Sequence, residues 1–329
     1  MLGDFSYANH GQRWMACAAL SQQPHAPFVV AGVPFDGAVT NRPGARFGPE
    51  AIRRASLMLC DGIHPLFNVS PLPYVADAGD MRLPNASPLP DVRTHIRQQA
   101  AALMAQHHTV FLGGDHSVTL ALLEAAQARF GQGQPLAVVH LDAHCDTWVD
   151  HFGEPSGHGT WTYEAVQQGL ISPVHTVQIG LRSSGVREAR EYVQDQGGLI
   201  YTAKHLRGKD GDALNDIITA IQERIGNRPC YLTLDIDCLD PAFAPGTGTP
   251  EPGGMSSSQV LTLLEGLQGL NWVAMDCVEV APAYDHAELT TNAAATFVWT
   301  YLAGQTARHL SALPQQALLH QEPPCLPAV

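Results

Sequence analysis

Short apolar, β-branched runs recur along this chain, each followed by small or polar residues and then by a stretch with apolar side chains at helical spacing. Phe28 to Val33, Thr109 to Leu112, Leu136 to Leu141, Val174 to Ile179, Tyr231 to Leu234 and Val273 to Val280 read as strands bounded by turn residues. Asp91 to Gln106, Leu120 to Arg129, Asp212 to Ile225 and Ser256 to Leu267 read as helices between them. Strands alternating with helices predict the α/β class, here a single doubly wound domain with a mostly parallel central sheet. No Pro- or Ser-rich linker divides the middle of the chain. The domain is therefore expected over about residues 26–310, after an N-terminal extension (1–25) and before a Pro/Gln-rich C-terminal tail (311–329).

Composition narrows the class. The 329 residues are 45% hydrophobic and only 15% charged, the balance of a core-rich globular protein that needs no disulfide staples. Acidic residues outnumber basic ones 31 to 18, a formal charge of −13, and no basic run or stripe occurs, so nucleic acid and anionic membranes are not expected partners. No apolar stretch approaches the roughly 18 residues of a spanning helix, and Trp14 to Leu20 makes a feeble signal peptide. Seven cysteines without a C-x-x-C pair read as reduced thiols of a cytoplasmic protein, with no part in the chemistry.

In open α/β sheets, ligands bind at the carboxyl ends of the strands, and two such ends carry unusual side chains. After Leu141 comes Asp142-Ala143-His144-Cys145-Asp146, whose Asp142, His144 and Asp146 share one side of an extended chain. Asp235-Ile236-Asp237 follows the apolar run Tyr231 to Leu234 in the same manner. Burying these groups together is unfavourable without a cation, because like charges repel and each must be desolvated. A third strand runs into Gly113-Gly114-Asp115-His116-Ser117, which places a histidine at its end and lacks the spacing of a nucleotide-binding glycine loop. Four carboxylates balance two divalent ions. Oxygen-rich ligation with imidazole and without thiolate points to Mn²⁺ first, with Ni²⁺, Co²⁺, Zn²⁺ or Mg²⁺ as alternatives. His140, farther back in its strand, is expected to be buried and hydrogen-bonded rather than a ligand, and Cys145 to be a packing residue.

These three motifs together resemble the ureohydrolase family of arginases and agmatinases. The likeness extends from Gly32-Val33-Pro34-Phe35-Asp36 and Arg46-Phe47-Gly48-Pro49-Glu50 to about Leu302. The resemblance implies one ion held by His116, Asp142, Asp146 and Asp235, and a second held by Asp142, His144, Asp235 and Asp237. It also implies a proton-shuttling role for His158 in Ser156-Gly157-His158-Gly159-Thr160, and a guanidinium-binding role for Glu279. Thr249, in the loop Ala244 to Pro250, would approach the same cation. Family members form trimers or hexamers, so a homo-oligomer is expected.

The implied reaction is attack of metal-activated water on a guanidinium carbon, releasing urea and an amine that His158 protonates. Agmatine, hydrolysed to putrescine, is the first expectation for the substrate. The segment Thr147 to Ser156 contains acids and no Lys or Arg, which suits a cationic tail, and the residues around Val280-Ala281-Pro282 look more like agmatinase than arginase. Trp148, Phe152 and Trp161 allow another reading, in which they enclose a compact alkylated guanidine or biguanide. Guanidinobutyrate or guanidinopropionate hydrolysis is the runner-up. A catalytically idle assembly subunit would show damaged metal motifs, and a metal-dependent deacetylase would lack the paired Asp-x-Asp framework; both features are intact here.

Overall fold

A computed structural model of the protein describes residues 12–313, so most of the tail predicted from the sequence lies outside the described residues. Nine strands form one sheet: β1 (Ala18–Ala19), β2 (Phe28–Gly32), β3 (Val75–Asp80), β4 (His108–Leu112), β5 (Leu136–Leu141), β6 (Ile171–Ile179), β7 (Leu199–Tyr201), β8 (Cys230–Asp235) and β9 (Trp272–Val278). Their order is β1-β3-β2-β4-β9-β8-β5-β6-β7, and every pairing is parallel.

The sheet is buried on both faces, which is why its central strands are apolar at nearly every position. Successive side chains point to opposite sides. Val139 and Leu141 therefore join a core with helices Asn215–Ile225, Ser257–Gly266 and Leu289–Ala312, whereas Leu136 and Val138 join a second core with helices Leu89–Met104 and Val118–Phe130. This is the doubly wound arrangement expected from the sequence. No helix among the described residues is long and apolar enough to cross a membrane.

Two features were not legible in the pattern. β3 reads Val-Ala-Asp-Ala-Gly-Asp, too polar for a buried strand until its acids are paired from elsewhere. Residues 12–25, set outside the domain by sequence, are woven into it: Trp14 is fully buried, its backbone N–H donates to Asp77 at 2.9 Å, and β1 extends the sheet beside β3.

The chain order places the crevice. After β4 the chain crosses over to β5, and only later do β8 and β9 fill the gap between them. The carboxyl ends of β4, β9, β8 and β5 thus lie side by side, at the kind of switch point where open α/β sheets bind ligands.

Candidate metal centre

The acids converge through turns rather than along extended strands, a correction to the sequence reading. β5 ends at Leu141, and the chain bends through residues 142–148, with Asp146 in the left-handed region at φ 53°. β8 ends at Asp235, and Ile236–Cys238 form one 3-10 turn, in which the Asp237 N–H donates to Asp235 Oδ1 at 2.8 Å. A non-glycine residue held left-handed is strained, and such strain persists only where surrounding contacts impose it.

His116 stands at the middle of the first group. Thr233 donates to Asp276 Oδ1 at 2.5 Å, so the Thr233 oxygen is free to accept the Nε2–H of His116 at 2.8 Å. That leaves the other ring nitrogen, Nδ1, as a lone pair when the ring is neutral. Nδ1 is buried without a hydrogen-bond partner, and oxygens of Asp142, Asp146 and Asp235 lie 3.1 Å from it. A lone pair facing three carboxylates is repulsive unless a cation sits among them. Burial works against a charged imidazole here, but the three carboxylates gathered around Nδ1 outweigh it and hold the His116 pKa well above its ordinary value. The site attracts positive charge. Spacings near 3.1 Å are those of neighbouring donors on one ion with bonds of about 2.1 Å, so the residues present fit a metal.

A second group adjoins the first. His144 Nδ1 is 3.3 Å from Asp142 Oδ1 and 3.1 Å from Asp237 Oδ2. Asp142 faces both groups, with Oδ2 toward His116 and Oδ1 toward His144. Asp142, His144 and Asp237 form one set of groups able to hold an ion, and His116, His140, Asp142 and Asp146 form another. Within the latter, His140 is already engaged. Gln178 donates to its Nδ1 at 3.1 Å, which leaves its Nε2–H to donate to Asp142 Oδ2 at 2.7 Å. It is buried and orients a carboxylate, the arrangement typical of partners just outside a metal's ligands. Burial and the neighbouring Asp237 and Asp142 push the Asp235 carboxyl well above its ordinary pKa, and burial likewise raises Asp237. For Asp142 burial also raises the pKa, but the adjoining His140 and hydrogen bonds from His116, His140 and His144 outweigh it and hold the group well below the usual range.

Glu279 follows β9, again left-handed at φ 63°. Its Oε1 accepts the His116 backbone N–H at 2.9 Å and lies 2.9 Å from His158 Nδ1, whereas Oε2 is buried without a donor. Burial alone would lower the His158 pKa, but the hydrogen bond and charge of Glu279 win and the imidazole is pushed up to about 9. Thr249 donates to Asp237 Oδ2 at 3.3 Å. Beside these groups is a cavity of about 650 Å³ lined by His116, His144, Asp146, Asp235, His158 and Thr249, with Trp148 at its side; Glu279, Asp142 and Asp237 are buried and do not line it. The fold therefore gathers every site residue picked out from the sequence.

Trp161 does not enclose the cavity. It is fully buried behind the metal groups, where its indole N–H donates to Asp146 Oδ2 at 2.6 Å and its ring lies against those of His116 and His140. Phe152 does line the cavity, although it is almost wholly exposed, at the tip of a two-residue hairpin that pairs His151 with Glu154. Thr40, Arg42, Ser183 and Glu251 line the cavity and escaped the sequence reading. Thr40 and Arg42 follow β2, Ser183 follows β6 and Glu251 lies beyond the turn after β8, and no local pattern marks them.

Comparison with known proteins gives an independent view. The model of the arginase family matches residues 26–304. The chain is 42% identical over 287 residues to the agmatinase of Serratia proteamaculans, covering 86% of this chain and 89% of that protein. Among solved structures, a hypothetical agmatinase from Burkholderia thailandensis superposes with a TM-score of 0.79 at 40% identity, covering 87% of this chain and 88% of the other. Proclavaminate amidino hydrolase from Streptomyces clavuligerus gives 0.83 at 36% identity, with 91% and 98% covered.

Proposed function

Because this chain belongs to the arginase family, we propose that it hydrolyses agmatine to urea and putrescine at a binuclear metal centre. The observation that carries this reading is Glu279 Oε2, a buried acceptor without a donor beside the Asp and His cluster. A guanidinium supplies both the N–H groups and the positive charge that this oxygen lacks.

His116, Asp142, Asp146 and Asp235 would hold one ion, and Asp142, His144, Asp235 and Asp237 the other, with Mn²⁺ the first choice for an oxygen-rich set. A pair of divalent ions supplies hydroxide near neutral pH by lowering the pKa of water. The chain's own residues do the rest. Glu279 anchors the guanidinium and orients its carbon toward the centre, which converts an encounter into an aligned reaction. The same carboxylate keeps His158 protonated, ready to deliver a proton to the leaving amine, which departs poorly as an anion.

The tail preference follows from the rim. Glu251 and Asp150 line the cavity, and Ser183 donates to the Glu251 carboxylate at 3.1 Å, so two acids border the space open to a ligand. They favour the cationic tail of agmatine. Arg42 at the same rim favours a second reading, hydrolysis of guanidinobutyrate or guanidinopropionate. A homo-oligomer, trimeric or hexameric, belongs to the proposal on the strength of the family resemblance, and a cytoplasmic location on that of the free cysteines.

The test is urea release from agmatine, guanidinobutyrate, guanidinopropionate, arginine and small alkylguanidines, with protein reconstituted separately with manganese and nickel. Agmatine is expected to give the highest kcat/KM. Preference for a carboxylate tail would transfer the assignment to the second reading, and silence on every guanidine would refute both.

A further inference from the structure

Thr40 sits in the loop after β2, 118 positions before His158 in the chain, yet it meets that residue twice. Its backbone N–H points to His158 Nε2 at 3.1 Å, and its Oγ1 lies 2.8 Å from the same nitrogen. The two contacts suit opposite protonation states. The N–H donates to the lone pair of a neutral ring, and the hydroxyl oxygen accepts the proton of a charged one. A group that gains and loses a proton in each cycle thus keeps a partner throughout.

The surroundings fix this contact. On the far side of the ring, Nδ1 is taken by Glu279 at 2.9 Å, so Nε2 is the nitrogen left for proton exchange. The loop is tied down along its length: Ala38 N–H donates to Asp115 Oδ2 at 2.9 Å, His158 N–H to Ala38 O at 3.2 Å, and Asn41 Nδ2 to Gly248 O at 2.9 Å. The backbones at its base meet so closely that a Cβ on Gly114 would lie 1.7 Å from Phe35 O. Thr40 itself is exposed and lines the cavity, so its hydroxyl connects the buried pair Glu279 and His158 to the space a substrate would occupy.

We propose that the Thr40 hydroxyl is a proton relay, passing the His158 Nε2 proton to the amine nitrogen that leaves. This rests on the hydrolytic reading above. The Nε2–H bond breaks as a new Oγ1–H bond forms, and the proton already on Oγ1 moves to the departing nitrogen as its bond to the guanidinium carbon breaks. The water that adds to that carbon gives up one proton, which restores His158, and its second proton, left on the hydroxyl of the adduct, passes to the released amine so that urea departs neutral and the amine as ammonium. Guanidinium and water in, urea and ammonium out, balance in atoms and charge.

Two variants of the metal-loaded enzyme test it. Thr40→Val keeps the backbone N–H and the shape but removes the hydroxyl, and Thr40→Ser keeps the hydroxyl. With agmatine, Thr40→Val is expected to lose about 100-fold in kcat, the low end of what positioned proton transfer contributes, with KM and metal content little changed. Thr40→Ser should recover most of that loss. Long-range ¹H–¹⁵N NMR of labelled histidines provides a reading independent of turnover. The His158 titration should move to lower pH in Thr40→Val, because the charged ring loses its acceptor, and return in Thr40→Ser. Unchanged kcat in Thr40→Val, a serine variant as slow as the valine one, or loss of metal alongside kcat would overturn the relay. Should the wild type release no urea, the functional reading fails separately. The NMR comparison then still decides whether Thr40 governs the His158 proton, and an unmoved titration rejects it.

Discussion

Asp235 and Asp142 each divide their two oxygens between neighbours. Asp235 turns Oδ2 to His116 and Oδ1 to the Asp237 N–H, and Asp142 turns Oδ2 to His116 and Oδ1 to His144. Asp142 thus faces both groups, and in the proposed centre Asp235 would serve both ions as well. Asp235→Asn conserves shape, removes one negative charge and sets an amide beside the His116 lone pair. Metal content measured by atomic emission is expected to fall, and turnover to drop by more than the roughly 10–100-fold typical of losing a partner outside the ligand set. Full metal with full turnover would refute the sharing. These residues were legible in the sequence because each follows directly on an apolar strand, where a charged cluster stands out. Thr40 was not, since a lone threonine in a loop carries no pattern and its meaning arises only from the ring it meets.

At the scale of elements, helix Gly48–Ser56 and strand β3 are joined through one buried guanidinium. Arg53 donates from Nε and Nη2 to Asp77 at 2.8 and 3.0 Å and from Nη1 to Asp80 at 2.5 Å, and Asp77 in turn accepts the Trp14 backbone N–H. Desolvation disfavours the charged Arg53, but the two carboxylates outweigh it and raise its pKa further. For Asp80, burial wins over Arg53 and the carboxyl is raised. Removing one member of a buried ion group strands the others. Arg53→Met is therefore expected to destabilise the fold by about 3–5 kcal/mol, read as a lower denaturant midpoint. A change within the range of surface substitutions would mean that water reaches these aspartates. The same grouping explains why β3 escaped the periodicity: a strand with Asp77, Gly79 and Asp80 looks like a turn until a helix from elsewhere supplies the counter-charge. The turns that aim Asp146 and Glu279 were hidden for a related reason. Glutamate rarely adopts a positive φ and aspartate does so only on occasion, so the packed crevice, not the residue type, sets both.

Across the whole molecule, acid should act far from the metal centre, at the amino end of β4. His108 Nε2 lies 2.8 Å from Tyr301 OH on helix Leu289–Ala312, and burial, aided by the Arg308 charge, holds its pKa down to about 4. The unfolded chain takes up that proton near pH ~6.5, so the stability this group confers is complete above 6.5 and is lost as the pH falls toward 4. Between those limits the guanidinium chloride midpoint of the wild type is expected to fall more steeply than that of His108→Gln, and parallel acid profiles would remove His108 as a cause. By itself the sequence determined the layered α/β class, the family and the aspartates and histidines of the centre. Apolar strands buried on both faces and acids clustered at their ends are local patterns, with few physical explanations. Only the tertiary structure decided how those groups meet: the turns that replace the extended run, the ring tautomers set by Thr233 and Gln178, the enclosure of Trp161, and the threonine that reaches His158. Orientation and protonation depend on neighbours far away in the chain, which no local stretch of residues specifies.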